Sequence, residues 1–128
     1  MIRFAAAAAF FAVTAAGAAI AQPATPPAGA AAQPPGEFAV CTACHETKAG
    51  AGASLGPNLF GVGGRKAGSV ADYDYSPAMK GSAIVWSADT LAAFVVDPNK
   101  TVPGNKMDYS GADAATAKAI ADYLLTLK

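Results

Sequence analysis

The sequence predicts an all-α domain with three main helices over residues 36–128. Two segments in the second half of the chain repeat apolar residues at the three- and four-residue spacing of a helix. A third, shorter helical segment near residue 40 carries two cysteines and a histidine close together. No alternation of strands and helices is visible, so an α/β fold is not predicted. A domain of this length can build one hydrophobic core.

The chain begins with a stretch that predicts export. A basic start at Arg3 precedes an apolar run over residues 4–20, and residues 19–21, which read AIA, fit a cleavage site of the A-x-A type. We therefore predict a signal peptide over residues 1–21. An uncleaved membrane anchor is the alternative, although the run is short and rich in alanine for a membrane span, which needs about 20 strongly apolar residues.

A proline-rich arm over residues 22–35 follows the predicted signal. Five prolines stand there among Ala, Gln and Thr, and no large apolar side chain is available for burial. We expect this arm to be extended and flexible. If the signal were retained, the arm would tether the domain to the membrane.

The mature chain is predicted to be close to neutral. Arg3 leaves with the signal, so eight basic side chains stand beside nine acidic ones and the net charge is near −1. This charge balance shows none of the excess of Lys and Arg that marks nucleic-acid-binding domains, so no nucleic-acid partner is predicted.

Residues 41–45 read CTACH and contain the only two cysteines and the only histidine of the chain. Residues three apart lie on one face of a helix, so the thiols of Cys41 and Cys44 can add to the two vinyl groups of a single haem. The imidazole of His45 follows at once and can reach the iron. This spacing is typical of c-type haem attachment.

Other interpretations of this motif have less support. A redox Cys-x-x-Cys dithiol is expected within a βαβ pattern, which is not visible here. A zinc site usually has four ligands, so a carboxylate would have to complete one. A blue-copper site needs two histidines and is excluded. A structural disulfide between the two cysteines stays open in an oxidising compartment.

A second motif lies downstream, where residues 103–107 read PGNKM. With CTACH and the motifs between them, it makes the chain from residue 36 to residue 128 resemble the class I c-type cytochromes. This family includes the soluble mitochondrial-type electron carriers and their bacterial relatives. The fold that the resemblance implies is a single domain with three main helices around one covalent haem.

The resemblance also implies how the haem is held. One haem c would be bound covalently by Cys41 and Cys44, with His45 and Met107 as the axial ligands of the iron. A thioether is a soft, neutral ligand that favours reduced iron. Asn105 stands where the family motif has a threonine.

Two further motifs imply parts of the haem pocket. Residues 56–59 match the family's Gly-Pro-x-Leu, which implies that the Pro57 carbonyl accepts the Nδ1–H of His45 and that Leu59 packs on the haem. The glycine-rich loop that follows resembles Gly-x-x-Gly-Arg-Lys-x-Gly and implies that Arg65 lies near a haem propionate.

Three aromatic side chains complete the implied pocket. Tyr75 and Trp86 fall where the family places hydrogen-bond donors to the propionates, and a buried phenol or indole needs such a partner. Many relatives have a tyrosine at the position of Phe94 that bonds the axial methionine sulfur, so this bond is expected to be absent here. Met79 belongs to no motif and is predicted to be a buried gap-filler.

The first two helices have recognisable ends. The first helix, over residues 36–45, is expected to be short because two prolines directly precede it. The second covers residues 87–97, with Ser87 as its N-cap and Pro98 after its last residue. Its inner face is predicted from apolar residues at positions i, i+3 and i+4: Leu91, Phe94 and Val95.

The last helix is predicted to begin at Ser110, with Asp113 completing a pair like a capping box. Its apolar stripe consists of Ile120, Tyr123, Leu124 and Leu127. The resemblance places this stripe against the first helix near Phe38.

The function that the resemblance implies is one-electron transfer rather than enzymatic catalysis, by a periplasmic monomer of a respiratory chain. The donor would be a quinol-oxidising cytochrome complex or a periplasmic dehydrogenase, and the acceptor a terminal oxidase or photosynthetic centre. One alternative is a membrane-tethered haem module of a respiratory complex. A haem gas sensor or peroxidase is the weaker alternative, because it would need an open sixth position on the iron.

Overall fold

A computed structural model describes residues 32–128 of the chain. Along this part a 3-10 helix is followed by four α-helices: the 3-10 helix Gly36–Ala43, α1 Pro77–Gly81, α2 Ala88–Val96, α3 Pro98–Thr101 and α4 Ala114–Leu124. The only pairing of extended backbone within these residues is an isolated antiparallel bridge between Lys66 and Val85. The predicted all-α class is confirmed.

The predicted signal peptide over residues 1–21 lies outside the described residues, as does the predicted arm up to residue 31. Residues 32–35 form neither helix nor strand. No helix within residues 32–128 is both long enough and apolar enough to cross a membrane.

The first helix is a 3-10 helix of eight residues rather than an α-helix. The N–H of Phe38 donates to the carbonyl of Pro35 at 2.9 Å, and the N–H of Cys44 donates to the carbonyl of Cys41 at 3.1 Å. Pro35 is the N-cap and offers no side-chain hydrogen bond, so nothing extends the helix upstream. Residues i and i+3 eclipse one another in a 3-10 helix, which keeps the two cysteines on one side.

The cap predicted for α2 is confirmed. Ser87 Oγ accepts the N–H of Thr90 at 3.2 Å, and Thr90 Oγ1 accepts the N–H of Ser87 at 2.7 Å, which completes a capping box. Pro98 follows the end of α2 but is also the first residue of α3. Proline is tolerated as the first residue of a helix, because the backbone N–H that it lacks would have no acceptor within the helix at that position.

The predicted start of the last helix at Ser110 is wrong. The N-cap is Asp113, whose carboxylate accepts the N–H of Thr116 at 3.0 Å and its hydroxyl at 2.7 Å. Gly111, with φ +97°, interrupts any helical path between the two candidate caps. An added Cβ at Gly111 would meet the carbonyl oxygen of Val96, so the chain turns there against the end of α2 before α4 begins.

The core lies between α2 and α4. Both helices turn their apolar faces inward, with these buried residues: Leu91, Phe94, Val95, Ala117, Ile120, Ala121 and Leu124. In the stripe predicted for the last helix, Tyr123 is half-buried and Leu127 lies beyond the end of α4. The ring of Tyr123 meets Phe38 edge-on with ring centres 4.7 Å apart, so the predicted packing of the first helix against the last is confirmed.

Candidate haem-binding site

A cavity of about 530 Å³ lies against the inner faces of α2 and α4 and the segment that follows the 3-10 helix. This volume falls in the range of cofactor pockets, roughly 300–1,000 Å³. The wall contains all four residues predicted to hold the haem and its iron: Cys41, Cys44, His45 and Met107. Groups that are far apart in the sequence therefore meet at one site.

The two cysteines reach this cavity from the end of the 3-10 helix. Both are free thiols in the described structure, with Cys41 half-buried and Cys44 exposed. Burial raises the pKa of the Cys41 thiol, and the neighbouring Cys44 adds to the effect. A structural disulfide, the alternative that the sequence left open, is not formed.

His45 is held by a single backbone acceptor. Its Nδ1 lies 2.7 Å from the carbonyl oxygen of Pro57, and because a carbonyl can only accept, Nδ1 carries the proton. The other ring nitrogen, Nε2, is then a free electron-pair donor, as a metal ligand must be. Burial lowers the pKa of His45, although the hydrogen bond to Pro57 acts in the opposite direction. The lowered pKa favours the neutral ring.

Gly56 makes this approach of the histidine ring possible. A Cβ at this position would lie 2.7 Å from Nδ1 and 3.0 Å from Nε2 of His45 and would overlap Cε1. The backbone of Gly56 also donates its N–H to the carbonyl of Cys44 at 2.7 Å, which closes the loop onto the attachment motif. Only a residue without a side chain fits here.

The remaining walls of the cavity are mostly apolar. Five of the pocket residues predicted from the sequence line it: Pro57, Leu59, Tyr75, Trp86 and Phe94. Trp86 and Phe94 pack edge-on with ring centres 5.3 Å apart. Burial raises the pKa of the Tyr75 phenol, and the nearby Arg65 opposes this rise. Within residues 32–128, every buried side-chain nitrogen or oxygen atom has a hydrogen-bond partner, including those of the cavity wall.

Arg65 is not part of the cavity wall. Its guanidinium donates to the carbonyl of Asn58 at 2.8 Å and to that of Phe60 at 3.2 Å. Asn58 in turn donates to the carbonyls of Lys48 and Ala51 at 2.9 and 2.6 Å. Arg65 therefore braces the loops that carry Pro57 and Leu59, and its role toward a propionate stays a prediction.

Sequence reasoning missed part of the wall. Met79 lines the same cavity as Met107, although it was predicted only as a gap-filler, and it is buried as predicted. The apolar stripes of α2 and α4 were assigned to helix packing, yet Leu91, Ile120 and Leu124 also face the cavity. The sequence signal for this would have been an apolar face on each helix that is wider than a single helix–helix contact requires.

The loop that carries Met107 is fixed by two of its side chains. Asn105 Oδ1 accepts the N–H of Met107 at 2.7 Å. Lys106 Nζ donates to the backbone carbonyl of Asp74 at 2.7 Å and to its carboxylate at 2.8 Å. Asp74 also pairs with Lys80 at 3.1 Å, and the two lysines lower the pKa of its carboxyl. The methionine loop is thus attached to the segment before α1.

Apolar walls, two thiols on one side and an imidazole with a free Nε2 fit a haem attached at its vinyl groups. A helical domain with this site belongs to the class of c-type haem proteins. The cytochrome c family model matches residues 15–128.

Individual relatives agree with this match. Cytochrome c2 iso-2 from Magnetospirillum molischianum is 40% identical over 95 residues, which are 73% of this chain and 97% of that protein. Cytochrome c from Arabidopsis thaliana is 48% identical over 71 residues, 56% of this chain and 63% of that protein. The solved structure of cytochrome cH from Methylobacterium extorquens superposes with a TM-score of 0.64 at 42% identity, over 70% of this chain and 90% of that chain.

The chain belongs to the cytochrome c family, the family that its motifs resemble. Its fold is that of the class I c-type cytochromes, and its cofactor is covalent haem c, for which Cys41 and Cys44 form the attachment motif. At this level the protein is a haem electron carrier.

Proposed function

We propose that this protein shuttles single electrons between membrane redox complexes, through a haem whose iron is ligated by His45 and Met107. The observation that carries the proposal is the cavity itself. Both residues line it, and the hydrogen bond from Nδ1 of His45 to Pro57 leaves Nε2 free. When bound, the haem supplies an iron that alternates between the ferrous and ferric states.

The chain's own residues set the properties of that iron. His45 is oriented by Pro57 and by the close approach of Gly56, so its ring has one position. Met107 would hold the iron through a neutral sulfur, which would stabilise its ferrous state. The apolar walls from α2 and α4 keep water away from the iron, which favours a high potential and a small rearrangement on electron transfer.

The transfer itself needs no substrate to enter. If His45 and Met107 both hold the iron, no position would remain for oxygen or peroxide, so we propose a carrier rather than an enzyme. Two apolar side chains of the cavity wall, Val40 and Leu55, are 56% and 75% exposed. They mark the side of the cavity that is accessible to a redox partner.

The place and partners of the protein follow from the same proposal. The sequence before residue 22 predicts export, so we propose a periplasmic monomer of a respiratory chain. A quinol-oxidising cytochrome complex or a periplasmic dehydrogenase would reduce it, and a terminal oxidase or photosynthetic centre would oxidise it. The mass of the purified protein tests the address: a chain that begins at Gln22 supports a periplasmic carrier, and a retained N-terminus supports a tethered module.

The axial ligation is tested by replacing each cavity methionine in turn. Met107→Ala should lower the reduction potential and let carbon monoxide bind the ferrous protein. Met79→Ala, the matched change in the same wall, should leave carbon monoxide excluded and cost about 2–5 kcal/mol of unfolding free energy. A redox titration measures the reduction potential of each protein, and a carbon monoxide difference spectrum measures whether the ferrous protein binds carbon monoxide. Wild-type protein that binds carbon monoxide as readily as Met107→Ala would favour the sensor or peroxidase alternative.

A further inference from the structure

We infer that Asn105 is a positioning residue that holds Met107 in place as the sixth ligand by fixing its backbone. The inference rests on the proposed function, in which Met107 ligates the iron. Asn105 stands in the PGNKM motif at the position where the resemblance has a threonine. Its contacts set it apart from a simple turn residue.

Asn105 uses both ends of its amide. Oδ1 accepts the N–H of Met107 at 2.7 Å, while Nδ2 donates to the carbonyl of Val102 at 3.0 Å and to Oδ1 of Asn99 at 3.2 Å. Its own N–H also donates to the carbonyl of Val102, at 3.1 Å. One half-buried side chain therefore links the end of α3 to the backbone of the ligand.

On the C-terminal side, the side chains of Met107 and Tyr109 pack against the core, but the backbone between Met107 and Ala112 has few anchors. Within residues 32–128, the next backbone N–H after Met107 that donates to a backbone carbonyl is that of Ala112, which bonds Val95 at 3.0 Å. Residues 108–111 thus provide no such anchor, and Gly104, with φ +85°, leaves the upstream side a tight turn. The backbone of Met107 is therefore fixed by residues 105 and 106, while its side chain packs against the core.

A threonine could not make the same contacts. Its hydroxyl has one donor hydrogen and reaches less far than an amide, so it can bond the N–H two residues on only weakly and cannot serve both Val102 and Asn99. An aspartate, by contrast, keeps the oxygen that accepts from Met107, while its second oxygen loses the two donor contacts and is repelled by the oxygens of Val102 and Asn99. The Asn105→Asp variant therefore separates the contact to the ligand from the contacts to α3.

The expected effect is on the ligand, not only on stability. Without the bond to Met107, the sulfur leaves the iron more often, and the ferrous protein should bind carbon monoxide about five- to tenfold faster in Asn105→Ala than in the wild type. Asn105→Asp should retain most of the wild-type resistance, and Asn105→Thr should lie between the two. Asn99→Ala removes one partner of the Nδ2 group without touching Met107 and should bind carbon monoxide at the wild-type rate.

The experiment compares the holoproteins of the wild type, these four variants and Met107→Ala by stopped-flow carbon monoxide binding, with guanidinium unfolding measured in parallel. Fast binding in Asn105→Ala together with slow binding in Asn105→Asp supports the inference, even where both are equally destabilised. Equal rates for Asn105→Ala and Asn105→Asp, or a wild-type rate for Asn105→Ala, would overturn it. A wild type as fast as Met107→Ala would instead remove the proposed ligation, and the inference with it. If Asn105→Ala gives no holoprotein, a wild-type rate for Asn105→Thr overturns the inference.

Discussion

Replacing Gly56 by alanine should displace the histidine ring that the haem iron needs. The added Cβ would lie 2.7 Å from Nδ1 and 3.0 Å from Nε2 of His45. Ordinary contact between such atoms is about 3.5 Å or more, so the ring or the loop has to move by roughly 1 Å. The hydrogen bond of 2.7 Å between Nδ1 and the carbonyl of Pro57 cannot survive a shift of that size in good geometry.

The cost follows from these two effects. Overpacking of a rigid site costs about 1–3 kcal/mol, and the lost hydrogen bond adds about 1 kcal/mol, so the unfolding free energy should fall by roughly 2–4 kcal/mol. For a small domain this lowers the guanidinium midpoint by roughly 1 M. Unfolding followed by circular dichroism, with the visible spectrum of the ferric protein recorded at each step, measures stability and ligation together.

A matched glycine serves as the control. Gly81, at the end of α1, has nothing within 4 Å of an added Cβ, so Gly81→Ala should be neutral or slightly stabilising. If Gly56→Ala unfolds at the same guanidinium concentration as Gly81→Ala and keeps the wild-type spectrum, the close fit of Gly56 under the ring has no energetic meaning.

Three further outcomes are expected. Without haem the protein should be largely unfolded by circular dichroism, because the mostly apolar walls of the cavity of about 530 Å³ would then face water instead of packing on the cofactor; a stable helical apoprotein would contradict this. Asp113→Ala should lower the thermal midpoint of the holoprotein at pH 7 and Ser110→Ala should not. Hydrogen bonds from Thr116 lower the pKa of Asp113 below its ordinary 3.8, so the ionised cap stabilises the fold above pH 3.8. The thermal midpoints of the wild type and of Asp113→Ala should therefore converge as the pH falls through the lowered pKa. With a net charge near −1, the protein should have little long-range electrostatic attraction to a redox partner, so its association rate should change little between low and moderate salt, where charges are screened over about 8 Å. A drop of orders of magnitude in stopped-flow experiments would contradict this.

Features that depend on local chemistry were predictable from the sequence. Ser87 was predicted as the N-cap of α2 from its residue type, and the inner face of α2 was predicted from the helical spacing of its apolar residues; the reciprocal bond from Thr90 was not predicted. The contact of His45 with Pro57 came from a motif, and the structure has it at 2.7 Å. The signal peptide lies outside the described residues and stays a prediction.

Features that depend on distant residues were not predictable. Ser110 and Asp113 are both good caps, and the choice between them is made by the turn at Gly111, which packs against Val96. The role of Arg65 beside a propionate stays a prediction, but the contacts of its guanidinium with the carbonyls of Asn58 and Phe60 had no signal in the sequence. Such contacts depend on how the loops meet and leave no periodic signal.

The long sequence separation between the 3-10 helix and α4 bears on the order in which the chain folds. α2 and α4 are close in sequence and share the core, so their contact closes a short loop and can form early. The 3-10 helix meets α4 through Phe38 and Tyr123, nearly the whole length of the domain apart, and such a distant contact forms late. The two thiols are on that late segment. They should therefore stay accessible for attachment of the haem while the contacts of α2 and α4 are still forming, and the docking of the 3-10 helix should follow attachment.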